Sequence, residues 1–189
     1  MVYFLDGKKI TKALKLIIFF IILIFLANGI INYILPIKYE RIIEKYAKKY
    51  NIEKSLVFAV INAESRFNKN AVSNKGAIGL MQIMPETGEW LAKKIDIKEF
   101  SENMLYDPET NIKLGTYYLS YLLEKFEDET LALCAYNAGS TNVYRWLNNE
   151  KYTKDGNIHT IPFKETNNYV KKIDIMKKGY NILFKINIL

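Results

Sequence analysis

Positions 16–27 read LIIFFIILIFLA without a charge, and Lys8, Lys9, Lys12 and Lys15 stand directly before them. Apolar character resumes after Asn28-Gly29 through Ile30, Ile31, Tyr33, Ile34 and Leu35. Residues 16–35 would span roughly 30 Å as a helix, about the thickness of a bilayer core, with Asn28, Gly29 and Asn32 weakening the far end. A segment with no polar face and four lysines on one flank does not suit the buried helix of a soluble core. It reads as a transmembrane anchor or an uncleaved signal. By the positive-inside rule the lysines keep residues 1–15 cytoplasmic and put residues 36–189 outside the membrane. A cleaved signal peptide is the alternative, because Ala27-Asn28-Gly29 offers small residues at cleavage-like spacing. The first reading makes a single-pass membrane protein with an extracytoplasmic domain, the second a secreted one.

The rest of the 189 residues suffices for one domain. Half of the chain is hydrophobic and a quarter charged, which excludes disordered and low-complexity classes. The net charge is +7, but after Lys15 the balance is 23 basic against 19 acidic residues, or +4. That excess is diffuse and forms no dense basic tract, so the chain reads as binding no nucleic acid, while a polyanion such as cell wall fits. One cysteine, Cys134, excludes an internal disulfide. Cys134 and the lone His159 cannot build a Cys/His zinc site unless carboxylates or another chain contribute. No metal or cofactor is expected.

Helical periodicity recurs through the exported part. Ile42, Ile43, Tyr46, Ala47 and Tyr50 predict an amphipathic helix over 39–50. A second is expected from Ser55, as N-cap, to about residue 66. A third starts at Asp107-Pro108, where Asp caps and Pro fits the first helical position, and runs to Phe126. Further helices are expected over 130–138, ended by Gly139, over 143–147, and from 162 to about 178 with Tyr169, Ile173, Met176 and Tyr180 on one stripe. No β-rich alternation and no repeat is visible, so the fold class is all-α. Two segments resist a helical reading: 68–82, with Gly76 and Gly79, and 148–161, with Asp155-Gly156. Loops of this kind are where sites tend to sit.

One charge stands out of place. Leu56, Val60 and Glu64 are four apart, so a carboxyl shares the stripe that its helix turns to the core. Apolar surroundings disfavour the ionised form and raise the pKa from about 4.3, which makes a general acid. The alternative is that Glu64, at a helix end, simply emerges into solvent. Downstream, SNKGAIGLMQIMP has the composition of a groove wall: glycines for tight paths, Gln82 as donor and acceptor, and Met81 and Met84 as adaptable apolar contacts. Alone, it equally fits a turn followed by core residues. Tyr136 and Asn137, at a helix C-terminus, could stack on and hydrogen-bond a sugar, or merely mark a helix stop. Tyr169 is by default a core aromatic whose hydroxyl needs a partner.

Taken in order, Glu64-Ser65, Gly79-Leu80-Met81-Gln82, Ala135-Tyr136-Asn137-Ala138-Gly139 and Tyr169 within ETNNYV resemble the lytic transglycosylases of the soluble-lytic-transglycosylase, goose-lysozyme-like family. The likeness covers about residues 39–180. It implies a compact lysozyme-like helical domain with a groove for the glycan strands of peptidoglycan. It also implies that Glu64 is the single catalytic acid and base, with Ser65 beside it in the family's Glu-Ser motif. By the same resemblance Met81 and Gln82 line the groove, Tyr136 and Asn137 contact sugar, and the Tyr169 hydroxyl orients the acid.

Ordinary glycosidases need two carboxyls, whereas here one is favourably placed. Glu86, Glu89, Asp107, Glu109 and Glu165 sit among polar neighbours or at helix starts, where a cap or solvated charge is the common role. The resemblance implies chemistry without a second acid: non-hydrolytic cleavage between N-acetylmuramic acid and N-acetylglucosamine that leaves a 1,6-anhydro end. Two alternatives are a hydrolytic, lysozyme-type muramidase of the same fold and a wall-binding module that does not cut.

Overall fold

The apolar run forms an unbroken helix, α1 (Gly7–Ile34), which passes straight through Asn28 and Gly29. Its stretch Leu14–Ile34 is long and apolar enough to cross a membrane, with a mean hydropathy of 2.7. The structure is a computed structural model that describes residues 7–154 and 157–186. Met1–Pro36 and Ile37–Leu189 are separate units. Asp6 and the Asp155-Gly156 pair lie outside the described residues.

The second unit is built from seven further helices among the described residues: α2 (Glu40–Lys49), α3 (Lys54–Ser65), α4 (Pro85–Lys94), α5 (Pro108–Phe126), α6 (Glu129–Ala138), α7 (Ser140–Leu147) and α8 (Lys164–Lys185). A 3-10 helix covers Glu102–Tyr106. Thr153–Lys154 and Asn157–Ile158 pair antiparallel as β1 and β2, a minimal ribbon inside the second loop of an otherwise helical domain. The described residues are all-α apart from this ribbon, as the periodicity predicts.

α3 is the centre. Its residues Leu56 to Ile61 are at most 2% exposed, so it is buried on every side and not on one stripe. α2 covers one side through Ile43, Tyr46 and Ala47, and α8 packs along another. Between α3 and α8 the Asn62 amide donates to the Tyr180 hydroxyl at 3.1 Å, which satisfies a buried polar pair. A satellite core of Leu122, Ala132, Cys134, Ala135, Val143 and Trp146 joins α5, α6 and α7.

The helix starts follow local chemistry where a cap exists. Asp107 accepts from Thr110 N at 2.8 Å ahead of Pro108, and Asp128 accepts from Leu131 N at 2.7 Å. Ser55 is not a cap: α3 begins at Lys54 after Glu53, and Ser55 is buried in its first turn. Two elements escape the sequence reading. α4 and the 3-10 helix lie in a stretch to which the periodicity assigns no helix; within α4 a Cβ on Gly88 would sit 2.8 Å from the Phe100 ring, so the glycine serves close packing and does not break the helix. α8 also continues past residue 178, because Tyr180 and Leu183 are still buried and the Tyr180 and Phe184 rings pack on Phe58.

Candidate active site

α3 carries Glu64 to its last turn. Beyond Ser65 the helix stops because Arg66 (φ 52°) and Phe67 (φ 61°) both adopt the left-handed conformation, at a cost of about 1–3 kcal/mol each for L-residues. The buried Phe67 ring, 5.8 Å from that of Phe58, supplies packing that holds this turn. Residues 68–84 then return as a wall beside the helix end. Val72, Ile78 and Ile83 form short antiparallel bridges there, and Ile78 and Ile83 exchange backbone hydrogen bonds of 2.9 and 3.0 Å.

The tight turn 79–82 closes this wall and places left-handed backbone at Gly79 (φ 80°) and Gln82 (φ 49°). No side chain fits at Gly79, where a Cβ would lie 2.3 Å from both Asn111 Nδ2 and the Leu105 carbonyl. Asn111, fully buried on α5, clamps the turn. Its Oδ1 accepts from Met81 N at 2.7 Å, and its Nδ2 donates to the carbonyls of Ile78 at 3.0 Å and Leu105 at 2.8 Å.

Glu64 opens onto a cavity of about 380 Å³ lined also by Ser73, Lys75, Gln82, Tyr136, Asn137 and Glu165. An adjoining cavity of about 340 Å³ shares Lys75, Gln82, Met84, Tyr136 and Asn137. A third, of about 330 Å³, continues through the shared Thr87 and Tyr118 to Trp90 and Tyr121. Together they make an elongated groove, polar at Glu64 and aromatic at its far end.

Tyr169 on α8 is buried, and its hydroxyl donates to Glu64 Oε1 at 2.6 Å. Burial pushes the Glu64 carboxyl from 4.5 up to about 7; the Tyr169 hydrogen bond and the Lys172 ammonium pull it down, and the charge of Glu165 pushes it up. Burial, followed by the neighbouring Glu64 charge, raises the Tyr169 hydroxyl well above the usual tyrosine value, so Tyr169 stays protonated and donates. An acid poised near neutrality at the floor of an open groove can both give and take a proton.

The other residues singled out from sequence divide into two groups. Gln82, Tyr136 and Asn137 line the cavity. Gln82 Nε2 donates to the carbonyls of Gly79 at 2.9 Å and Ala71 at 3.2 Å, and Tyr136 donates from its hydroxyl to the Met81 carbonyl at 2.8 Å. Asn137 Oδ1 accepts from Thr166 Oγ1 at 2.7 Å, which fixes its amide. Ser65 and Met81 support the site from behind. Ser65 Oγ donates to the carbonyl of Leu80 at 2.8 Å, tying the helix end to the loop wall. Met81 is fully buried, its sulfur filling the space at Gly115 where a Cβ would lie only 2.4 Å away.

Asn111, Thr166 and Lys75 escaped the sequence reading. Asn111 carries the same signal as Glu64, a polar side chain on the stripe that continues through Gly115 and Leu119, and could have been found by it. Glu165, read as a solvated charge at a helix start, is exposed in the first turn of α8 but also lines the Glu64 cavity.

A buried carboxyl with a raised pKa at the floor of a long groove, with the exposed Glu165 also lining its cavity, is an acid–base site shaped for an extended chain. The chain belongs to the transglycosylase SLT domain family, whose model matches residues 41–159. It is 38% identical over 142 residues to the soluble lytic murein transglycosylase of Escherichia coli strain K12, covering 73% of this chain and 22% of that protein. It is 32% identical over 166 residues to the membrane-bound lytic murein transglycosylase C of Yersinia pestis strain Pestoides F, covering 76% of this chain and 46% of that one. The solved structure of an inactive glutamate-to-glutamine variant of lytic transglycosylase Slt from Pseudomonas aeruginosa matches with a TM-score of 0.70 and 35% identity, covering 81% of this chain and 25% of that one. The chain thus spans about a fifth of the length of the soluble relatives.

Proposed function

We propose that this protein is a membrane-anchored peptidoglycan lytic transglycosylase. It cleaves the β-1,4 bond between N-acetylmuramic acid and N-acetylglucosamine without water and leaves a 1,6-anhydro end. The observation that carries the reading is the Glu64 carboxyl, bonded to Tyr169 and held near neutrality in the groove. The names of the relatives point the same way, as does the solved relative in which replacing one glutamate by glutamine goes with inactivity.

Tyr169 occupies Oε1, so the acidic proton sits on Oε2, the oxygen left to face a substrate. Glu64 gives that proton to the bridging oxygen as the glycosidic bond breaks, while the acetamido group of the muramic sugar stabilises the positive charge developing at C1. The resulting carboxylate takes the proton of the C6 hydroxyl of the same sugar, whose oxygen closes on C1. Intramolecular attack carries a high effective molarity, which favours it over water from the open groove. Gln82, Tyr136 and Asn137 orient the sugars on either side of the bond, and Ser65 and Met81 hold the wall that presents them.

Glu165 gives the hydrolytic alternative one specific support, since a second carboxyl in the cavity could activate water. Mass spectrometry of fragments released from purified sacculi separates the readings. Fragments lighter by one water than reducing-end fragments support the transglycosylase. Reducing ends overturn it in favour of a muramidase, and no release at all leaves a wall-binding module. For location, we infer that residues 16–35 stay attached as a single span with the groove-bearing domain extracytoplasmic. The chain in the membrane fraction should keep its full size; a shortened, secreted form means a cleaved signal.

A further inference from the structure

The exposed residues from Lys171 on α8 to Ile186, its C-cap, are three isoleucines, three lysines and Asp174. Ile175, Ile182 and Ile186 are 70%, 60% and 54% exposed, and steps of seven and four put them on one face. Lys171, Lys178 and Lys185, also seven apart, follow that face along one edge. Asp174 pairs with Lys178 at 2.7 Å in an exposed i,i+4 contact, so the edge keeps a net positive charge.

The tether of the domain leaves beside the last turns of this helix. Lys54 pairs with Glu40 at 3.0 Å and lies 4.1 Å above the Phe184 ring, and Asn181 donates to Glu53 at 2.7 Å. Residues 35–39 alone separate α1 from α2. At full stretch they hold Glu40 within about 20 Å of the end of α1, whatever angle the domain adopts.

Resting on the membrane anchoring proposed above, we propose that the Ile175–Ile182–Ile186 face of α8 is a docking surface for an anionic phospholipid bilayer. Exposed isoleucines beside a row of lysines suit the headgroup boundary, where apolar side chains enter the acyl edge and ammonium groups meet phosphates. A second copy of the chain suits the face less, because pairing two such stripes would bring rows of lysines together. Tyr169 lies twelve residues before Asn181, about 18 Å along α8. Tyr169 also points about 120° around α8 from Ile175, so docking by the isoleucine face leaves the Glu64 side of the helix off the lipid.

The test uses the full chain reconstituted in vesicles containing phosphatidylglycerol, with Ile182→Cys or, as a control, Glu150→Cys carrying an environment-sensitive fluorophore. Cys134 is fully buried and out of the label's reach. The fluorophore at 182 should emit at shorter wavelength and be quenched by spin-labelled lipids, while that at 150 should report water. Each Lys→Gln change at 171, 178 or 185 should lower the docked-to-free ratio about fivefold. If 182 reports water like the control, or is shielded only through energy transfer between copies without lipid quenching, the docking surface is refuted. Alkaline extraction scores the anchor separately: a chain stripped from vesicles refutes the anchor even where 182 is lipid-quenched, and a retained chain with 182 in water refutes docking alone.

Discussion

The hydroxyl of Tyr169 donates to Oε1 of Glu64 at 2.6 Å, joining residues 105 positions apart at the floor of the groove. The bond favours the ionised carboxyl against burial, so it trims the rise in the Glu64 pKa while fixing which oxygen carries the proton. Ground-state tuning and geometry thus come from one contact.

Tyr169→Phe should therefore do two things. A hydrogen bond to a charged group is worth about 1.5 kcal/mol, and one pKa unit is about 1.4 kcal/mol, so the Glu64 pKa should rise by about one unit. The alkaline limb of the pH profile for sacculus solubilisation, set by loss of the acid, should move up accordingly while the maximal rate falls. An alkaline limb that stays in place would show that the bond does not tune the acid.

Glu64→Gln should lower turnover by about 10²- to 10⁴-fold. It should also stabilise the fold in a pH-dependent way. The folded carboxyl binds its proton more tightly than the unfolded one, so the wild type loses stability as pH rises from 4.5 through about 7, by up to about 3 kcal/mol. Melting of the two detergent-solubilised chains should coincide near pH 4.5 and separate above pH 7 with the variant higher. Coincidence at every pH would contradict the raised pKa.

Asn111→Leu should damage the wall without touching substrate. It leaves Met81 N and the Leu105 carbonyl without this partner, while the Ile78 carbonyl keeps Ile83 N, and each buried orphan costs about 1–3 kcal/mol. A fall in melting temperature corresponding to about 3 kcal/mol or more is expected, with activity lost alongside. A loss under about 1 kcal/mol would mean the turn holds itself.

Thr166→Val removes the hydroxyl that holds Asn137 and keeps the shape. The expected effect is about a fivefold loss in kcat/KM, corresponding to about 1 kcal/mol, with the pH limb of Glu64 unmoved and folding stability changed little. A shifted pH limb would mean that Asn137 communicates with the acid and does more than orient sugar.

Legibility followed the range of the forces involved. Asp107-Pro108 and Asp128 satisfy their own helix starts within three residues, so α5 could be read to its first residue and α6 to within one. Ser55 misled because its role depends on the packing around α3, and α4 went unread because its Gly88 answers to Phe100, neither of which a local pattern encodes. Glu64 was readable as an acid on an apolar stripe. That Ser65 and Met81 stand behind the wall while Gln82 faces the cavity was not, since adjacent residues of an irregular turn follow no period.

By itself the sequence determined the apolar first helix, the helical class of the domain after it and the carboxyl that had to be either buried or wasted, because these depend on hydrophobic period and composition. The family resemblance, and no local pattern, pointed to Tyr169 meeting Glu64; only the tertiary structure decided that Asn111 locks the turn at Gly79 and that Glu165 shares the cavity. Those relationships join side chains tens of residues apart, and their energies exist only once the packing of α3 on α5 and α8 has brought the groups within hydrogen-bonding reach.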